Sequence, residues 1–179
     1  MDERIFQFNL SGEVGRYFDD SSLSNGEQPK IVILTGGPGA GKTTVRKQSL
    51  SQGYVLVDAA EIFVRLSRGE CFPFPGPLEE PMNIVGNLVA QRAISERRHI
   101  VTELIGADHR TLMELIQTMT TAGYKIEVRY IHCGIEAAVS RNLSRGDDNI
   151  SSYYAEPYQR RWLIEAAQSA LNSQPPRDA

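Results

Sequence analysis

The feature that most constrains this chain is a glycine-rich run placed directly behind a short apolar stretch. Ile31-Val32-Ile33-Leu34 is β-branched at three of its four positions, as expected of a strand buried on both faces. After Thr35 comes Gly36-Gly37-Pro38-Gly39-Ala40-Gly41-Lys42-Thr43, which fits GxxxxGK[ST] in full and opens a helical segment. Glycines let the backbone curl so that successive N–H groups converge on a phosphate, and the helix N-terminus adds partial positive charge. In such a loop Lys42 reaches the β- and γ-phosphates, the Thr43 hydroxyl ligates magnesium, and Thr44 completes the lining. The expected ligand is therefore ATP with Mg2+.

The remainder of the chain repeats the strand–helix alternation. A helix is expected over residues 42–51, a strand over 54–57, and a helix over 59–66. A Pro-rich loop then runs from Cys71 to Pro81. Helical spacing over 82–97, a strand at 99–102, a helix over 108–121, a strand at 125–131 and a helix over 135–145 follow. A last helix is expected over 156–172. This alternation predicts an α/β fold, with a parallel sheet covered by helices on both faces. Residues 1–29 read as an N-terminal appendage and linker, 30–172 as one domain, and 173–179 as a tail. The apolar set Phe6, Phe8, Leu10, Val14, Tyr17 and Phe18 leaves two readings of the first segment: packed on the domain, or facing a partner.

Composition narrows the function classes. A net charge of −3 argues against a nucleic-acid backbone as main partner, which calls for a clustered basic excess. The two cysteines have no CxxC spacing and the three histidines no HxxxH or HExxH spacing, so a metal site made by protein ligands alone is not expected. No apolar run approaches the roughly 18 residues of a membrane span. The N-terminus lacks the basic-then-apolar order of a signal peptide, so a soluble, cytoplasmic protein is expected.

A phosphoryl-transfer site needs a carboxylate near the γ-phosphate and positive charge on the transferring group. In a parallel sheet the C-terminal strand ends surround the ligand. The end of the second strand supplies Asp58, a candidate base and metal ligand, with Glu61 one turn on; the end of the third supplies Glu103. Arg141 and Arg145, four residues apart, project from one helical face. With Arg160 and Arg161 they can close over phosphates, each offering a planar fork of donors.

GGPGAGKTT, then VDAAEI, then HIVTE, then an arginine-bearing helix resemble the zeta-toxin kinases, P-loop enzymes related to chloramphenicol phosphotransferase. The resemblance covers roughly residues 30–165. It implies phosphorylation of a hydroxyl on a UDP-linked amino sugar or another small metabolite, and silencing by a small helical antitoxin. It also implies Lys42 and Thr43 on ATP–magnesium and Glu103 on substrate or metal. Arg141 or Arg145, with Arg160 or Arg161, would lie on the phosphates.

One position departs from the family. Its second strand usually reads like VDADEI, and the second acid is the catalytic base; here that position is Ala60. Either the base has moved to Asp58 or Glu61, or the chain is a nucleotide-binding pseudokinase, or the alanine is an engineered silencing of a toxic enzyme. The intact VDA-EI around it favours the last. An aspartate codon in the natural gene would settle it, and a natural alanine would sink it. A GTPase is disfavoured because IHCGIE follows the fourth strand where a guanine-reading NKxD-like motif would stand. A polynucleotide end kinase remains a third reading, weakened by the acidic charge. Phe72, Phe74 and Pro75 of the Pro-rich loop suit either acceptor stacking or local packing.

Overall fold

The computed structural model describes residues 10–68, 76–105 and 109–144. Four parallel strands form one sheet in the order β2-β3-β1-β4, with β1 at Lys30–Gly36, β2 at Tyr54–Leu56, β3 at His99–Ile105 and β4 at Lys125–Tyr130. The helices are α1 (Leu10–Gly15), α2 (Lys42–Ser49), α3 (Ala59–Ser67), α4 (Glu79–Ser95), α5 (His109–Thr121) and α6 (Ile135–Leu143). The expected α/β class and parallel sheet are thus observed.

β1 explains why the sheet forms around it. Its side chains alternate between two apolar layers, and Ile31, Val32, Ile33 and Leu34 are all almost wholly buried. Ile31 and Ile33 join Ile62, Phe63, Leu66, Met82, Val85, Val89 and Ile100 in the larger core. Val32 and Leu34 join Leu50 and Val101 in a smaller one on the opposite face. Burying each such side chain is worth about 1.5–3 kcal/mol, so a polar residue anywhere in this strand would be costly.

Several elements run differently from the sequence expectation. β3 extends three residues past Thr102, because its backbone stays in register with β1 through Gly36 opposite Ile105. α4 begins at Glu79 rather than at residue 82; Pro81 fits its first turn, where no intrahelical N–H bond is required. The segment before Lys30 does not stand apart: Val14, Tyr17 and Phe18 are buried members of the larger core. Of its two readings, packing on the domain is the one seen over residues 10–29. The last helix at 156–172 and the first five residues of the Pro-rich loop, with Phe72, Phe74 and Pro75, lie outside the described residues. No described helix is long and apolar enough to cross a membrane.

The strand order places a ligand crevice. From β1 the chain crosses over β3 to reach β2, and from β3 it crosses over β1 to reach β4. The loops leaving β1 and β3 therefore diverge, and the gap between them at the C-terminal edge is the switch point where parallel sheets take ligands.

Candidate functional site

The glycine-rich loop occupies that switch point. Gly39 has φ +73° and Gly36 φ +151°, values that favour glycine. A methyl group on Gly39 would collide with the Ala138 carbonyl, and one on Gly36 with the Ile131 carbonyl. The loop thus fits closely against the segment leading into α6. Gly41, also left-handed, is the N-cap of α2 and offers no side-chain cap, which leaves the first amides of that helix to a ligand. Lys42 is buried, and its Nζ donates to the Gly36 and Gly37 carbonyls at 2.9 and 3.0 Å. The ammonium folds back across the loop it would serve.

α2 and β3 meet over a short polar chain. Glu103 lies on the α2 side of β3, as Val101 does. One carboxylate oxygen accepts the Thr43 hydroxyl at 2.9 Å; the other accepts Arg46 Nε at 2.6 Å. Arg46 also approaches Glu61 at 3.9 Å, and Glu61 pairs with Arg65 at 3.5 Å. Glu103 is not at the strand tip, as sequence suggested, but two residues inside it, opposite Leu34.

Asp58 caps α3, its Oδ1 accepting the Glu61 amide at 2.8 Å. This is the first half of a capping box, and the Glu61 side chain turns to the arginines instead of completing it. Burial pushes the Asp58 carboxyl above its usual range; the Glu61 amide and Arg46 oppose that, and the nearby Glu103 charge adds to it. Ala60 is the second residue of α3, half-buried and packed against the larger core.

Arg141 reaches the loop from α6: its Nη1 lies 3.5 Å from the Gly39 carbonyl and 3.4 Å from Cys133 Sγ. Thr44 is exposed on α2, while Pro38 is half-buried and Ala40 buried within the loop. The geometry therefore brings Lys42, Thr43, Glu103, Asp58, Glu61 and Arg141 to one edge of the sheet. Arg145, Arg160 and Arg161 lie outside the described residues. Sequence reasoning missed Arg46. The available signal was its position one turn after Thr43, on the helix face that must meet the sheet.

Among the described residues no cluster of three or more His, Cys, Asp or Glu is arranged to hold a metal ion by itself. The donor set still suits magnesium held jointly with phosphate oxygens. Thr43 supplies a hydroxyl whose proton Glu103 accepts, and Asp58 supplies a hard carboxylate oxygen. A magnesium ion so held would neutralise negative charge on the phosphates.

Residues 15–62 match the family model described as zeta toxin, a segment that includes the loop and the VDAAEI stretch. No curated protein sequence matches the chain. The structure of the PezAT chromosomal toxin–antitoxin system of the human pathogen Streptococcus pneumoniae is similar at TM-score 0.63 and 20% identity, covering 93% of this chain and 75% of that one. The AvrRxo1-ORF1:-ORF2 complex with ATP is similar at 0.59 and 17%, covering 88% and 57%. A chain of the Pnkp1/Rnl/Hen1 RNA repair complex is similar at 0.56 and 20%, covering 82% and 49%. In another structure of that RNA repair complex this chain spans only 40% of the matching chain's length. At such identities the likeness shows the fold. Together with the family match it upholds the resemblance to zeta-toxin kinases.

Proposed function

We propose that this chain is a zeta-toxin-type phosphotransferase that binds ATP with magnesium and phosphorylates a hydroxyl of a nucleotide sugar or other small metabolite, as the toxin of a toxin–antitoxin pair. The observation that carries the reading is the Lys42, Thr43, Glu103 and Arg46 cluster at the switch point. Lys42 exchanges the Gly36 and Gly37 carbonyls for β- and γ-phosphate oxygens, a stronger charge-assisted bond. Thr43 holds the metal with Glu103 as proton acceptor. Arg141, already against the loop, stabilises charge on the transferring group. The family match and the ATP-bound AvrRxo1 neighbour support the nucleotide; the PezAT neighbour supports an antitoxin partner.

The base is the weak point of the site as the chain stands. The family position is Ala60, which carries no proton acceptor. Asp58 has the raised proton affinity a base needs, but its Oδ1 is engaged by the Glu61 amide. We therefore read this chain as a silenced form in which Ala60→Asp restores transfer.

The test is magnesium-dependent transfer from ATP to UDP-sugars, nucleosides and oligonucleotide 5′ ends, with the chain as given beside Ala60→Asp. Transfer to a small acceptor only by Ala60→Asp supports the proposal. Transfer by the chain as given moves the base to Asp58 or Glu61. Transfer to oligonucleotide ends favours an end kinase, in line with the RNA repair neighbour. Bound ATP without transfer by either form favours a pseudokinase.

A further inference from the structure

We infer that Arg46 is a positioning residue for the metal half of the site: it holds Glu103 so that the second carboxylate oxygen is presented to the Thr43 hydroxyl. The inference rests on the nucleotide–magnesium reading above and assigns a residue which neither the loop motif nor the family's residue pattern singled out.

Arg46 and Glu103 are both nearly shut off from solvent, their side chains retaining 11% and 10% exposure. A buried ion pair of this kind gains little net stability, because desolvating both charges offsets their attraction. Its geometric consequence is larger. Glu103 has two oxygens, and Arg46 Nε takes one at 2.6 Å while the other accepts from Thr43 Oγ1 at 2.9 Å. The two bonds together restrict rotation of the carboxylate and engage the Thr43 hydroxyl proton, which leaves the lone pairs of the Thr43 oxygen available to a cation.

The guanidinium also sits among the local acids. Glu61 of α3 lies 3.9 Å from it, and Asp58 is close enough to feel its charge. Arg65 is paired with Glu61. Arg46 contributes positive charge that the Glu103 and Asp58 carboxylates both feel. The planar guanidinium meets acids on two elements in a fixed fork, a geometry that a lysine ammonium on its flexible stem does not fix.

Outer partners of a metal ligand typically change metal affinity by about ten- to a hundredfold when removed. ATP affinity of Arg46→Met, Arg46→Lys and the unsubstituted chain, measured with saturating magnesium and in EDTA, tests the assignment, with thermal melts alongside. The expected result is that Arg46→Met loses about ten- to a hundredfold in the magnesium-dependent gain in affinity and keeps its affinity in EDTA. Arg46→Lys should recover part of the loss, and it decides the matter if Arg46→Met does not fold. Adding Glu103→Gln to Arg46→Met should cost little more, since both act through one carboxylate. Equal losses with and without magnesium, or unchanged magnesium dependence, overturn the assignment. Failure of the unsubstituted chain to bind ATP at all would instead sink the functional reading on which it rests.

Discussion

The two ends of the sheet are both polar, but their hydrogen bonds go to different places. At the N-terminal edge, side chains are spent on the backbone of neighbouring elements. His99 Nδ1 accepts the Lys30 amide at 3.0 Å. The Tyr124 hydroxyl is shared between the Ala93 and Arg98 carbonyls at 3.1 and 3.0 Å. Arg98 donates to the Ser21 carbonyl at 3.0 Å, and the guanidinium of Arg92 lies 4.1 Å from the Phe18 ring centre. These contacts tie Phe18, Ser21 and Lys30 to α4 and the start of β3. At the C-terminal edge, Thr43, Arg46 and Glu103 bond to one another, and Lys42 bonds to loop carbonyls. The carbonyl partners of Lys42 and the hydroxyl of exposed Thr43 are open to a ligand without opening the fold. One edge therefore holds the domain together, and the other keeps a set of replaceable bonds.

Substitutions sharpen that contrast. Lys42→Ala should cut ATP–magnesium affinity by about a hundredfold, the worth of a charged hydrogen bond of ~3 kcal/mol, while the melting temperature changes little, because removing a buried charge offsets the two carbonyl bonds lost. A parallel loss of stability would erase the distinction between the edges. Gly39→Ala should cost about 1–3 kcal/mol through its left-handed backbone and should also weaken nucleotide binding, since the loop must move off Ala138. Denaturant titration and ATP binding read the two effects separately.

Tyr124→Phe belongs to the other edge. It should lower stability by about 1–3 kcal/mol by stripping a donor from two carbonyls, with ATP affinity untouched. A change in affinity would mean the edges are coupled. The smallest effect concerns Tyr17, whose pKa burial pushes up to about 12 against the lowering influence of Arg65. The folded state then keeps its phenol proton where the unfolded chain, titrating near 10, has lost it. Tyr17 therefore contributes stability that is full below pH 10 and declines as pH rises toward 12. Burial also raises Tyr124, so ultraviolet titration should show more than one tyrosine ionising late, and Tyr17→Phe should remove one tyrosine's share of that late absorbance.

Legibility in the sequence followed distance along the chain. The loop, the apolar strand before it and the alternation of elements are local patterns, and each was readable from a window of a few residues. Element ends were less so. β3 runs to Ile105 because β1 offers it partners that far, and nothing within HIVTELI itself announces where pairing stops. Arg46 looked like an ordinary helix residue. Its importance depends on Glu103, 57 positions away, which the sequence could place near the loop only through the topology of a parallel sheet. Tyr17 and Phe18 showed an apolar pattern but no direction, because a short aromatic pair packs equally well on its own domain or on another protein.

By itself the sequence determined that a glycine-rich loop follows a buried strand and that strands and helices alternate. Those are properties of neighbouring residues, set by backbone freedom, β-branching and turn chemistry. Only the tertiary structure decided which carboxylate meets Thr43, which arginine holds it there, and that the segment before Lys30 completes the core. Such pairings form when chain closure brings distant groups together, and the burial of both faces of β1 is what makes that closure favourable.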